Sequence, residues 1–241
     1  QGVPRGAGRG AGPLTPDAPT QDKLLQAARQ LTIAKCAADG WAFTTGFVWT
    51  RDEADSDSVK RFPDLPYLEA LWREIDEHQR VVVAKSRQLR VSWLLAAFCV
   101  WFARFYSHKL ILWQTQKEED ANAMVCLPGS EKDSGYAARM QFILRHLPPW
   151  LRGTWRESEG ELSCKDTGST ILALPGGAHQ VRGKTASMIV EDEFAFQSEQ
   201  AGVYQAVAPL IQKATKFIAV STPNGRANQF SDLYHGVVRA A

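Results

Sequence analysis

The sequence lacks a membrane span, a cysteine framework and a decisive charge. Its most apolar stretch, Trp93 to Tyr106, is about four helical turns long and contains Arg104, too short for a bilayer and suited to a buried helix. The four cysteines, Cys36, Cys99, Cys126 and Cys164, form no CxxC pair and sit mostly in apolar surroundings, as reduced packing thiols do. A net charge of +2 announces no nucleic-acid partner, although a local basic face fits within a balanced total. No secretory signal and no internal repeat is evident, and the chain starts at Gln1 rather than Met, as a fragment or processed chain does. What is present is 241 residues with 44% hydrophobic content, enough for one large α/β core, with or without a small appendage.

Residues 1–20 are Gly, Pro and Ala with two arginines, a composition that cannot offset the entropy of ordering and reads as a flexible tail. Residues 21–60 read as an N-terminal helix and packing segment. Leu24, Leu25, Ala28, Leu31 and Ala34 recur at helical spacing, the aromatic run Trp41 to Trp49 is expected to pack that helix on the core, and Arg51 to Lys60 reads as a polar loop. The main domain spans residues 61–241. Leu65, Leu68, Leu71, Trp72 and Ile75 predict a helix within Asp64 to Gln79, and Val81 to Val83 a buried strand. A loop from Ala84 to Val91 follows, and Ser92 opens the apolar helix. Leu110 to Trp113 is the next strand, with helices over Lys117 to Leu127 and Tyr136 to Leu147. Glu161 to Cys164 and Ser169 to Leu174 flank a turn-rich quartet, which suits a hairpin inserted in the sheet. Met188 to Val190 and Phe217 to Val220 are short buried strands separated by a helix from Ser198 to Ile211. This alternation implies an α/β fold whose mostly parallel sheet is covered by helices on both faces.

Three segments carry chemistry. Against the phosphate-loop pattern GxxxxGK[ST], Lys85-Ser86-Arg87-Gln88-Leu89-Arg90-Val91-Ser92 has Lys85 for the first glycine, Arg90 for the second and Val91 for the lysine, and only Ser92 matches. A plain strand-to-helix turn with surface bases explains it as well. A helix N-terminus after a buried strand still offers unpaired amides to an anion, with Lys85 and Arg87 as cations. In Met188-Ile189-Val190-Glu191-Asp192-Glu193, a strand delivers Asp192 to the sheet's C-terminal edge, where a carboxylate holds magnesium and Glu193 orients a hydrolytic water. Solvated acids capping a strand are the bland alternative, and Glu191 leaves the register ambiguous. In Ser221-Thr222-Pro223-Asn224-Gly225, the polar Ser221, Thr222 and Asn224 suit a γ-phosphate sensor, although any turn uses Pro, Asn and Gly.

Each segment ends an apolar strand. With Val181-Arg182-Gly183-Lys184 before the acids and Phe194-Ala195-Phe196 after them, they resemble the ATPase domain of the large terminase subunits of tailed bacteriophages, from Arg61 to Tyr234. The resemblance implies a P-loop NTPase fold of the additional-strand, catalytic-glutamate type that uses ATP and Mg2+. It also implies a DNA-packaging motor in the host cytoplasm during virion assembly. The implied partners are double-stranded DNA, the portal protein and the small terminase subunit, with no membrane, and the implied assembly is a homo-oligomeric ring on the capsid, a monomer in solution staying open.

In that family the phosphate loop is often deviant, its lysine displaced to the loop's start and followed by Arg-Gln. Lys85, Arg87 and Gln88 match, whereas Arg90 departs from the usual glycine. By the same carry-over Asp192 and Ser92 hold the metal, Glu193 is the catalytic base and Ser221 to Gly225 couples hydrolysis to movement. An adenine-contacting glutamine motif is expected near Phe62 to Leu68, where Leu68 stands in the glutamine's place and Gln79 is a weak substitute. Arg87 is the arginine available within the subunit, while Arg139, Arg145 and Arg152 are placed to reach a neighbour. After Gly225 only 16 residues remain, with Asp232 their sole acid, so ATP hydrolysis without DNA cleavage is expected. A helicase-like translocase and a non-hydrolysing nucleotide-binding assembly module stay open beside this reading.

Overall fold

The computed structural model of the protein describes residues 21–51, 59–127 and 138–236. The expected tail over residues 1–20, most of the expected loop between Arg51 and Lys60, and Tyr136 lie outside them.

Helix α1 (Gln21–Ala38) forms where the spacing predicts it, but its apolar stripe does not face the core: Leu24, Leu25 and Leu31 are exposed. The helix is held at its last turn, where Cys36 is buried and its carbonyl accepts a bond from Trp101 Nε1 at 2.8 Å. Asp39 then caps α2 (Gly40–Phe47) by accepting from the amides of Trp41 and Ala42. Close packing requires glycine at position 40, since a Cβ there would lie 2.4 Å from Trp72 and 2.7 Å from Trp101. The aromatic run packs as expected, with Trp41 and Phe43 buried. The two ends of the expected polar loop instead pair as an antiparallel ribbon, β1 (Trp49–Arg51) with β2 (Val59–Arg61).

Helix α3 (Pro66–Glu77) buries Leu68, Trp72 and Ile75 and leads into β3 (Arg80–Ala84). Helix α4 (Val91–Phe105) is buried along most of its length, as its near-continuous apolar sequence requires. After it come β4 (Leu110–Thr115), α5 (Glu118–Val125), α6 (Arg139–His146), α7 (Pro149–Arg152), β5 (Trp155–Ser158), β6 (Glu161–Cys164) and β7 (Ser169–Pro175). The chain continues through α8 (Ala178–Val181), β8 (Met188–Asp192), a 3-10 turn (Phe194–Phe196), α9 (Gln200–Ile211), β9 (Lys216–Ser221) and α10 (Gln229–Tyr234).

Seven strands form one sheet in the order β3-β9-β8-β4-β7-β6-β5. The first five are mutually parallel and the last two antiparallel. The predicted hairpin is present within the sheet, with Cys164 opposite Ser169, β7 lying between β4 and β6, and β6 between β7 and β5. Strand β7 is itself the fifth parallel strand, and β5 extends the edge without having been foreseen, because three of its four residues face solvent and leave no apolar run to read. Successive residues of the central strands alternate between two cores: Met188 and Val190 pack with α4, and Ile189 packs with Val203 and Val207 of α9. Among the described residues no helix is long and apolar enough to cross a membrane. All four cysteines are free and buried, and burial pushes the thiols of Cys36 and Cys126 up to about 11, as packing residues require.

Candidate functional site

Strands β3, β9 and β8 are neighbours and parallel, so the segments that follow them emerge side by side at one edge of the sheet. Lys85 follows β3, and its amide donates to the Ser221 carbonyl at 3.0 Å. Its ammonium meets Glu193 Oε1 at 2.9 Å, across 108 residues of sequence. The other carboxylate oxygen, Oε2, accepts from Thr222 Oγ1 at 3.3 Å and Ser221 Oγ at 3.4 Å, with the Thr222 amide at 3.5 Å. The basic loop, the acid pair and the polar loop thus converge on the Glu193 carboxylate.

Register separates the three acids. Glu191 sits opposite Gln114 and Ala219 and is fully buried on the α9 side of the sheet, so it reaches neither a metal nor a nucleotide at the edge. Asp192, the last residue of β8, is also buried, and its Oδ1 accepts from the Glu193 amide at 3.0 Å. Burial raises the Asp192 carboxyl above its ordinary range, while Lys85 and Arg139 pull against that rise. At Glu193 burial acts in the same direction but is outweighed by the hydrogen bond and charge of Lys85 and by the Thr222 donors, so its carboxyl is held low. Two adjacent acids are thereby driven apart, the condition that assigns them different tasks. A buried carboxylate is a donor suited to a hard cation. Ser92, in the first turn of α4, is the half-buried hydroxyl available, although it forms no hydrogen bond with Asp192.

The loop before α4 explains its missing glycines. Gln88 and Arg90 both adopt left-handed backbone, with φ of 63° and 56°, so the chain takes up conformations that glycine would allow more cheaply. Arg90 is secured from outside the loop, its Nη1 donating to Thr50 Oγ1 of β1 at 3.2 Å. Tyr67 Oη bonds the Leu89 carbonyl at 3.3 Å. Two N-terminal elements therefore brace the phosphate loop, and no sequence motif marks Thr50 or Tyr67 for that task. Val91, in the usual lysine position, is 4% exposed and points into the core, whereas Ser86, Arg87, Gln88 and Leu89 are exposed.

The remaining expectations divide. The Arg139 guanidinium lies 5.7 Å from the Trp93 ring and donates to Met124 Sδ at 3.0 Å. Its charge acts to lower the carboxyl of Asp192 against the larger effect of burial. Arg145 pairs with Glu157 at 3.3 Å. Asn224 does not face the Glu193 carboxylate but donates to the Ala195 carbonyl at 3.0 Å, bracing the turn behind it. Leu68 is a core residue, and Gln79 lies at the opposite end of β3 from Lys85, where its carbonyl accepts from Phe217, so neither contacts a base at this edge. Gln197 and Gln200, unmarked in the sequence, hold the turn after the acids: Gln197 Nε2 donates to Glu191 Oε2 at 3.0 Å and Gln200 Nε2 to the Ala195 carbonyl at 2.9 Å.

Burial pushes the Glu191 carboxyl up to about 8, against the pull of the Gln197 amide. A folded-state value above the unfolded one gives stability that is full below the unfolded value and lost as pH rises through about 8. Glu191→Gln removes the titration, so its thermal stability matches the parent near pH 4.5 and exceeds it at pH 8, by on the order of a few kcal/mol. Unfolding curves at the two pH values check this, and parallel losses at both would contradict it.

A five-stranded parallel core with a basic loop, a buried Asp192 followed by a half-buried Glu193, and a polar loop on one sheet edge has the architecture of the P-loop NTPase fold. Residues 82–240 match the family described as terminase large subunit, T4likevirus-type, N-terminal. The chain belongs to that family. Its fold is similar to that of the HK97 bacteriophage large terminase, with a TM-score of 0.58 at 11% identity over 81% of this chain and 40% of that one. The large terminase of a thermophilic bacteriophage gives 0.53 at 14% identity over 72% and 42%, and its complex with ADP gives 0.51 at 13% over 70% and 40%. The chain thus spans about two fifths of the length of these proteins.

Proposed function

We propose that this chain is the ATP-hydrolysing motor domain of a viral DNA-packaging terminase. The observation that carries the reading is the meeting of Lys85, Ser221 and Thr222 on the carboxylate of Glu193, beside the buried Asp192. The complex of the thermophilic-phage large terminase with ADP supports nucleotide binding by this fold. Residues 61–241 serve as the ATPase body and residues 21–60 as the N-terminal appendage that braces its phosphate loop through Thr50.

The phosphates of ATP bind at the open N-terminus of α4, where the amides and dipole of the helix favour an anion. Lys85 exchanges its contact with Glu193 for one with phosphate. Asp192 and Ser92 are the residues that would hold Mg2+, which would supply charge neutralisation on the phosphates. Glu193, kept ionised by its surroundings, orients and deprotonates the attacking water. Arg139 and the exposed Arg87 are the cations available to the transferred phosphate from within the subunit. Thr222 and Ser221 touch the same carboxylate and register the loss of γ-phosphate, which the 221–225 loop passes on as movement.

In this reading the motor acts as a homo-oligomeric ring on the portal protein in the host cytoplasm and drives double-stranded DNA into a procapsid, with the small terminase subunit as partner. The test is ATP hydrolysis by the chain and by the assembled ring, with and without magnesium. Turnover that requires magnesium is expected, and none in the assembled ring would leave a nucleotide-binding assembly module.

A further inference from the structure

Glu191 is unusual in a strand otherwise built for burial: a carboxyl group within β8, fully buried in the layer beneath the acid pair. Its Oε1 has no hydrogen-bond partner among the described residues, and neither has Oε1 of Gln197 nor that of Gln114, the residue opposite it on β4. An apolar trio would be cheaper to bury. Gln114 Nε2 donates to the Pro175 and Gly177 carbonyls at 2.6 and 3.0 Å, whereas the contact that Glu191 accepts comes from Gln197, whose Nε2 donates to Glu191 Oε2 at 3.0 Å and also lies 3.3 Å from the Asp192 carbonyl.

Between these two anchors runs the turn that carries Glu193. Its backbone is left-handed at φ 49° and ψ 40°, a conformation a non-glycine residue keeps only where its surroundings over-determine it. The Phe196 amide donates to the Glu193 carbonyl at 2.9 Å and the Gln197 amide to the Phe194 carbonyl at 3.1 Å, which sets the turn's pitch. Gln200 closes its far side on the carbonyls of Ala195 and Gln197. Of these contacts, only the Gln197 side chain reaches back from the end of the turn into the strand that precedes it.

We infer that Gln197, anchored on Glu191, is a positioning residue that holds Glu193 in its left-handed conformation and so aims the carboxylate at the site. The inference rests on the reading of Glu193 as catalytic base, but the placement of the turn is testable without it. Gln197 touches neither Lys85 nor the phosphate loop, so its loss leaves nucleotide binding intact and affects the step in which Glu193 must be aligned.

The test compares Gln197→Met, which keeps length and removes the amide, with Glu191→Gln, which keeps an acceptor for it. In Gln197→Met, hydrogen exchange at the amides of Phe196 and Gln197 is expected to quicken about tenfold or more while the amides of β8 stay protected. Turnover of ATP per folded molecule is expected to fall about tenfold or more, with ADP affinity within about twofold of the parent. Glu191→Gln is expected to keep both properties near parental. Should Gln197→Met fail to fold, the apolar pair Glu191→Leu with Gln197→Leu restores packing and takes its place. Unchanged exchange in the turn overturns the inference whether or not the parent hydrolyses ATP. Faster exchange with unchanged turnover per folded molecule also overturns it, since the pair then only stabilises. A parent without turnover, by contrast, defeats the ATPase reading and leaves the exchange result to decide the placement.

Discussion

Glu193→Gln lowers steady-state ATP turnover by about 10²- to 10⁴-fold, the range general-base catalysis supplies. The substitution keeps the size of the side chain and an oxygen for Thr222 and Ser221, so the turn and the 221–225 loop retain their contacts. What is lost is a carboxylate whose surroundings hold it ionised, and with it the proton acceptor for water. The same change breaks the charge pairing with Lys85, which is only 10% exposed and has Glu193 as its partner at 2.9 Å. Nucleotide then no longer competes with a carboxylate for the ammonium, so ADP affinity is retained or rises. Turnover within about twofold of the parent would remove Glu193 as the base.

Lys85→Ala weakens nucleotide binding by about 10- to 150-fold, the equivalent of a charge-assisted hydrogen bond of roughly 1.5–3 kcal/mol. Lysine is placed for this by β3, whose last residues pair with β9 and so fix where Lys85 leaves the sheet. Val91→Lys in that background does not repair binding. Its side chain points into the core, where an ammonium lacks both solvent and a partner, and the variant is less stable by several kcal/mol in thermal unfolding. Two measurements, ADP affinity and melting temperature, check the pair of variants. Unchanged affinity in Lys85→Ala, or restored affinity in the double variant, would place the phosphate cation elsewhere.

The parallel core was legible because its strands read as short apolar runs: Leu110 to Trp113, Met188 to Val190 and Phe217 to Val220 in the interior of the sheet, and Val81 to Val83 in the half-buried edge strand β3. Chemistry at their ends was legible for the same reason, since a charged residue directly after a buried strand has few places to go. The order of the strands was not legible, and it is the order that brings Lys85 to Glu193. Strand β5 escaped because its residues face solvent, and α1 misled because helical spacing of leucines says nothing about which side finds a partner. Arg90 looked like a defect in the phosphate loop when set against a glycine pattern. In the fold it is an arginine in left-handed backbone, tied to Thr50 some 40 residues earlier, a contact that no local pattern encodes. Gln197 was equally silent: glutamine near a turn is common, and only the burial of Glu191 beneath it gives it a task.

The central claim is that Lys85, Asp192 and Glu193 form one nucleotide site, and a structure with a non-hydrolysable ATP analogue and magnesium tests it most directly. The account predicts that Lys85 Nζ leaves Glu193 for a phosphate oxygen, that the metal lies within water-bridged reach of Asp192, and that Glu193 faces the γ-phosphate while keeping its contact with Thr222. An analogue bound away from this edge, with Lys85 still paired to Glu193, would contradict it.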